Sequence, residues 1–329
     1  MPVSCNITGM ALIDRPRIGI DLGGTKIEAI ILDGHGRIHE RQRTPSPGND
    51  YHAIIEAVAS LVVDVCDRNG LDTDLPVGIG TPGAISLKTG MMKNCNSTCL
   101  NGMPLAEDLA ARLGVPVRLA NDADCFALSE ASDGAGAGAT TVFGVILGTG
   151  VGGGICIGGQ LLQGVNAICG EWGHNALPLH ALENDGTGLP SPQPNVNRCY
   201  CGRFDCVETW LSGPAFEREY QRLTGSALAA RDIDERSMQG DATATALIER
   251  YANLLALGLS TVINIIDPEI IVLGGGMSKT ASVYPQVDRW LERYVFSDQI
   301  RTRVMPNVHG DSGGVRGAAW LWPLDTDTD

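Results

Sequence analysis

Short apolar runs that end in glycine, set between longer stretches of helical periodicity, give this 329-residue chain its rhythm. The spacing predicts a first strand from near Arg17, a glycine turn at Gly23-Gly24, and a return strand over Glu28 to Leu32. The chain then turns at Asp33-Gly-His-Gly36 and comes back through Arg37 to Arg43, a hairpin meander. After Asn49-Asp50, residues of the preferred capping type, Ile54, Ile55, Val58, Leu61, Val62 and Val65 recur on one helical face, and Gly70 supplies a stop. Pro76 to Gly80 reads as the next strand and ends in Thr81-Pro-Gly83, so the first unit is β-β-β-α-β.

Asn94 to Gly102 reads as a polar loop, followed by a helix over Leu105 to Leu113, a strand over Val115 to Ala120 and a helix over Ala123 to Glu130. A Gly- and Ala-rich linker, Ser132 to Thr140, leads to the apolar run Val142 to Leu147 and a second glycine turn, read over Gly148 to Gly154. From there to Asn197 the proline and asparagine content predicts irregular structure, with a helix after Ser212-Gly213. Thr243 to Ile266 is a long helix whose stripe from Leu247 to Ile266 is core, stopped by Asp267-Pro268. The strand Ile270 to Leu273 runs into a third turn, Gly274-Gly-Gly276, and Gly313 to Trp322 forms a last helix.

Strand-to-glycine turns suit phosphate chemistry, because residues without a Cβ let their N–H groups close on an anion. Thr25 and Lys26 add a hydroxyl and a charge beside the first turn, and Asp21 at its strand end is placed to reach a hydrated magnesium ion. An ordinary hairpin turn explains the same residues. The echo at Gly148, about 125 residues on, points instead to two related halves facing one nucleotide. Asn121-Asp122 lies at the carboxyl end of a strand, where open α/β sheets bind ligands. Either residue could equally be a helix cap.

At 43% hydrophobic residues the chain can bury a large core, and its length suggests two domains. A net charge of −14 argues against tracking nucleic acid or anionic lipid. No uninterrupted apolar run approaches the ~20 residues that span a bilayer, and residues 1–14 lack the basic start of a secretory signal, so a cytoplasmic protein is expected. Seven of the ten cysteines are scattered singly. The other three, Cys199, Cys201 and Cys206, follow Gly170-Glu-Trp-Gly-His174 closely enough to make, with His174, the ligand set of a closed, structural zinc site. Glu171 and Glu208 flank these ligands, so a metal would fix two carboxylates able to accept hydrogen bonds from sugar hydroxyls; two solvated loop acids are the plainer reading.

Taken together, Asp21-Leu-Gly-Gly-Thr-Lys26, Thr81-Pro-Gly83, Asn121-Asp122, Gly148-Thr-Gly150, Gly170 to His174, the run ending Cys206-Val-Glu208 and Gly274-Gly-Gly276 resemble the ROK family (repressors, open reading frames and kinases) from about Arg17 to Trp322. The resemblance implies an α/β, two-domain actin-like ATPase (ribonuclease H-like) fold with an interdomain cleft. The expected division is an N-terminal domain over 1–120, a larger zinc-bearing domain over 121–312, and a C-terminal helix, 313–329, that rejoins the first. Lys93 to Gly102 and His309 to Trp320 look most like the fructokinases of the mannokinase type. Asp205 and Cys99 depart from the family pattern, which usually has glycine and, in those fructokinases, tryptophan at these places.

What the resemblance implies is phosphorylation of a hexose 6-hydroxyl, most of all that of D-fructose, by ATP with Mg2+. N-acetylglucosamine, mannose and glucose are alternatives. Asp122 would be the catalytic base, Asn121, Glu171, His174 and Glu208 would hold the sugar, and Gly83 and Asn96 would assist. His174 would put one nitrogen on zinc and the other toward the sugar. Gly23, Gly24, Thr25 and Lys26 with Gly148, Thr149 and Gly150 would clamp the phosphates, and Gly274 and Gly275 would admit the adenosine. Relatives of this kind imply a homodimer with no nucleic-acid or membrane partner. A sugar-responsive repressor would need a DNA-binding module ahead of the first strand, and an actin-like assembly protein leaves the cysteine cluster unexplained.

Overall fold

The computed structural model describes residues 16–323, so the leader read over 1–16, with Cys5, and the last residues of the expected C-terminal helix lie outside the described residues except for Pro16. Contacts group the chain into two units. The first takes the described residues to Ser129, Val165–Ala167 and those from Ser312; the second takes Glu130–Gly164 and Ile168–Asp311. The division falls nine residues beyond the expected boundary at 120 and groups Asn121 and Asp122 with the first unit.

In chain order the first unit holds β1 (Arg17–Leu22), β2 (Lys26–Leu32), β3 (Ile38–Pro45), α1 (Tyr51–Asn69), β4 (Val77–Thr81), the short hairpin β5 (Ala84–Ile85) and β6 (Met92–Lys93), α2 (Leu105–Leu113), β7 (Val117–Asn121) and most of α3 (Asp122–Ser132). The second holds β8 (Thr141–Leu147), β9 (Val151–Ile157), β10 (Gln160–Leu161), α4 (Glu208–Leu211), α5 (Gly213–Thr224), α6 (Ala230–Met238), α7 (Ala242–Ile266), β11 (Ile270–Gly274), α8 (Val283–Tyr294) and β12 (Arg303–Pro306). A last helix, α9 (Gly313–Trp320), belongs to the first unit.

The first sheet has the order β3-β2-β1-β4-β7, antiparallel through β1, β2 and β3 and parallel through β1, β4 and β7. One face buries Ile18, Ile20, Ile27 and Ile31 with the α1 residues Ile54, Val58, Leu61 and Val65. Asp50 accepts the Ala53 N–H at 3.0 Å to start α1, and Gly70, with φ 61°, ends it, as the pattern predicted. The other face carries α9, whose backbone lies directly on β1 and β4. A Cβ on Gly19 would come 2.2 Å from Val315 O, and one on Gly78 would come 1.8 Å from Ala318 O. Gly317 meets α3 in the same way, 1.6 Å from Cys125 O, so α9 and α3 are seated only because side chains are missing.

The second sheet repeats the plan, with order β10-β9-β8-β11-β12, antiparallel through β8, β9 and β10 and parallel through β8, β11 and β12. Its core gathers around α7, with Leu247, Tyr251, Leu255, Leu259 and Ile263 buried against Phe143, Val145 and Leu273. This 25-residue helix is long and apolar enough to cross a membrane, but 83% of its most apolar window is buried in the unit, as a core helix is. Arg250 in α7 pairs with Asp185 and donates to Pro190 O at 2.9 Å and Leu189 O at 3.2 Å, which orders a loop with little core of its own.

Several elements depart from the sequence reading. Only Gly148 to Gly150 is turn; Gly152, Gly153 and Gly154 lie inside β9. The strand is glycine-rich because it is crowded: a Cβ on Gly153 would come 2.8 Å from Trp172 Cδ1 and 2.8 Å from Gly170 O. β12, α6 and α8 were also not anticipated. α6 buries only Ile233, and α8 carries Pro285 in its first turn, where proline is tolerated.

Candidate functional site

In the first unit the site grows from a row of in-register residues, Arg43–Glu28–Asp21–Gly80–Ala120, that crosses the sheet on one face. Glu28 is buried and accepts from Arg41 Nε at 2.6 Å and Arg43 Nε at 2.5 Å. Asp21 has no such clamp. Burial first, then the Glu28 and Asp122 carboxylates, push its carboxyl from 3.8 up to about 6. Just beyond, the Gly23 N–H donates to Lys26 O at 3.0 Å and Ser46 N–H to Thr25 O at 3.0 Å, closing a turn that leaves Gly24, Thr25 and Lys26 exposed.

The question of which residue caps α3 has a clear answer. Asn121 Oδ1 accepts the Asp124 N–H at 2.6 Å, three residues on, which is the capping pattern. Asp122 takes the adjacent Ala123 N–H at 2.9 Å and its own N–H, and as a residue it is exposed. Burial of the carboxyl raises it above the usual range, and the Ala123 and Asp122 N–H bonds pull it partly back. Gly83 sits where a Cβ would meet Cys95 Sγ at 2.4 Å, and Thr81 Oγ1 donates to Gly83 O at 3.0 Å. Asn96 is exposed on the following loop. That loop is fastened by Asn101, which accepts from Cys95 N–H at 2.9 Å and donates to Cys95 O at 3.1 Å.

In the second unit the glycine turn is braced from outside. Gly148 N–H donates to Gly150 O at 3.0 Å, Gly213 N–H to Gly148 O at 2.8 Å, and Val151 N–H to Glu208 Oε2 at 3.1 Å. A Cβ on Gly150 would sit 2.5 Å from Glu208 Oε2, so the carboxylate lies against the turn. Thr149 remains exposed. At the end of β11, Gly274 leads into Gly275, whose φ of 82° and missing side chain let it close on Leu147 O.

His174, Cys199, Cys201 and Cys206 bring their ligand atoms within 4.8 Å of one another. His174 Nδ1 is 3.6 Å from Cys199 Sγ, and Cys201 Sγ is 3.6 Å from Cys206 Sγ. Ligands about 2.3 Å from a tetrahedral zinc stand about 3.8 Å apart, so the set fits that ion. Asp205 has φ 55°, the left-handed conformation that aspartate accepts more readily than most residues. Its carboxylate takes the N–H groups of Asn195 and Asn197, which ties the loop ahead of the cysteines.

Trp172 Nε1 donates to Gly152 O at 3.1 Å and anchors the segment between Glu171, which is exposed, and His174. Glu208 Oε1 lies 4.0 Å from Cys199 Sγ. One expectation changes: the outer nitrogen of His174, Nε2, has a partner in Tyr200 Oη at 2.9 Å. Asn101 and Tyr200 are the residues that sequence reasoning passed over. Asn101 lay inside a run quoted for its resemblance, and Tyr200 was hidden between two cysteines that drew attention to themselves.

Comparison with known proteins settles the family. The ROK family model matches residues 17–324. The chain belongs to the ROK family. The resemblance to ROK sugar kinases drawn from the motifs therefore holds, and the actin-like ATPase fold with it. The chain is 41% identical over 307 residues, 93% of its length and 99% of the relative's, to a protein named N-acetyl-D-glucosamine kinase from Salmonella paratyphi B. Among solved structures it is similar to a ROK hexokinase from Thermus thermophilus, at 29% identity and TM-score 0.79 over 92% of this chain and 96% of that one. It is likewise similar to a ROK glucokinase from Streptomyces griseus, solved in complex with glucose and AMPPNP, at 28% identity and TM-score 0.71 over 93% and 98%.

Proposed function

We propose that this protein is a sugar kinase that transfers the γ-phosphoryl group of ATP to the primary hydroxyl of N-acetyl-D-glucosamine. The observation that carries the substrate is the 41% identity, over 93% of the chain, to a kinase of that name. The fructose expectation gives way to the alternative held beside it, since it leaned on two short segments. The roles divide by unit. In the first, Asp122 is the base: Asn121 takes over the capping task and leaves the Asp122 carboxylate free to orient the hydroxyl and accept its proton late in transfer. Gly24, Thr25 and Lys26 offer exposed donors to phosphate on the turn that Gly23 closes, and Asp21 is the candidate to hold hydrated Mg2+, which neutralises charge on the phosphate oxygens when bound.

In the second unit, Gly148, Thr149 and Gly150 are a second phosphate grip, and Gly274 with Gly275 gives a backbone surface for the adenosine. Glu171, His174 and Glu208 read the sugar hydroxyls; Gly83, Asn96 and Asn121 of the first unit assist. Zinc on His174, Cys199, Cys201 and Cys206 orders the loop and has no open position for chemistry. Steady-state kinetics with ATP across N-acetylglucosamine, fructose, mannose and glucose test the proposal. The highest kcat/KM is expected for N-acetylglucosamine; a higher value for any of the others overturns the substrate, and no turnover with any overturns the activity.

A further inference from the structure

Tyr200 is 82% exposed, yet it is held in place. Its hydroxyl lies 2.9 Å from His174 Nε2, and its ring meets the imidazole edge-on, with centroids 5.0 Å apart at 86°. His174 Nδ1 faces the cysteine cluster, 3.6 Å from Cys199 Sγ. Each ring nitrogen of an imidazole has one in-plane site, for a proton or for a lone pair. With a metal held on Nδ1, Nε2 would keep the ring's N–H and donate it to Tyr200 Oη. A sugar hydroxyl that uses His174 therefore cannot share it with Tyr200.

We propose that Tyr200 is a built-in stand-in for a sugar hydroxyl: it occupies the outer nitrogen of His174 when no hexose is bound, must be displaced by the substrate, and so sets both the affinity and the choice of sugar. This rests on the assignment of His174 to the sugar site. The substitution is chemically even, one neutral hydroxyl for another. A side chain so exposed loses little on swinging aside beyond its single hydrogen bond. Sugars lacking a hydroxyl at that point have nothing with which to displace it, so Tyr200 acts as a filter as well as a placeholder.

Tyr200→Phe keeps the ring and removes the competitor, and at an exposed position it leaves the fold intact; zinc content and Tm serve as controls. Calorimetric titration with N-acetylglucosamine should show the variant binding about two- to tenfold more tightly than the parent, the worth of one net hydrogen bond. The KM for the sugar should fall in parallel, with the KM for ATP unmoved. Unchanged or weaker sugar binding by Tyr200→Phe overturns the proposal, weaker binding marking Tyr200 as a direct sugar contact. If the parent binds and phosphorylates the sugar and the variant matches it, only this inference falls. If neither form binds any hexose, the proposed function falls too.

Discussion

The two sheets share one strand order but carry opposite chemistry at equivalent points. In each, the central strand ends in a glycine turn whose first N–H folds back on the turn itself, Gly23 to Lys26 O and Gly148 to Gly150 O, both at 3.0 Å. Two residues before that glycine the first sheet places Asp21, and the second places Ile146. The first unit thus keeps a carboxylate with a raised pKa beside its turn. The second has none there, and instead sets Glu208 against its turn from outside, on a helix that begins two residues after a cysteine of the cluster. The same scaffold has been used once as a charged socket and once as a braced frame, with chemistry concentrated in one and geometry in the other.

If this division is right, damage to the first unit should fall on rate and damage to the second on structure. Asp122→Asn should lower kcat by about 10²- to 10⁴-fold with little change in the KM for ATP, read by steady-state kinetics. A variant with near-parental turnover removes Asp122 as base. In the second unit, Cys206→Ser or a strong chelator should release the metal and destabilise the protein by roughly 3 kcal/mol or more. Limited proteolysis should then cut first within 170–206, checked by mass spectrometry, and cleavage first in the first unit would break the comparison.

The smallest effect tests the asymmetry at Asp21 itself. Its folded pKa of about 6 stands above the ordinary 3.8, so the folded state binds more protons than the unfolded chain between those values, and stability falls as pH rises through that window. Above about pH 6 the loss is complete. Asp21→Asn should therefore be more stable than the parent at pH 7 by on the order of 1–3 kcal/mol and no more stable at pH 4, while losing activity. Chemical denaturation at the two pH values checks this. A gain that persists at pH 4 would show a packing effect instead.

Sequence patterning made the first sheet, α1, α7 and all three glycine turns legible, because each follows a period or ends in a residue with a physical reason to be there. The cysteine cluster was legible from spacing alone. β9 was not, since Gly152, Gly153 and Gly154 carry no hydrophobic signal; the strand's need for small residues appears only once Trp172 is seen packed on it. The row from Arg43 to Ala120 depends on strand register, which a linear sequence does not display. Whether Asn121-Asp122 caps a helix or meets a ligand was an even choice from sequence; the Asp124 N–H shows that Asn121 is the cap. The acceptor sugar was read as fructose from two short segments, whereas identity over the whole chain favours N-acetylglucosamine.

The seating of α9 on Gly19 and Gly78 also bears on how the molecule is made. Synthesis delivers β1 to β7 long before it delivers residues 313–320, so the furrow over these glycines stays open on the ribosome while the second unit's sequence emerges. The first unit is thus begun first and completed last. Nascent chains stalled ahead of α9 should offer that uncovered sheet face to chaperones.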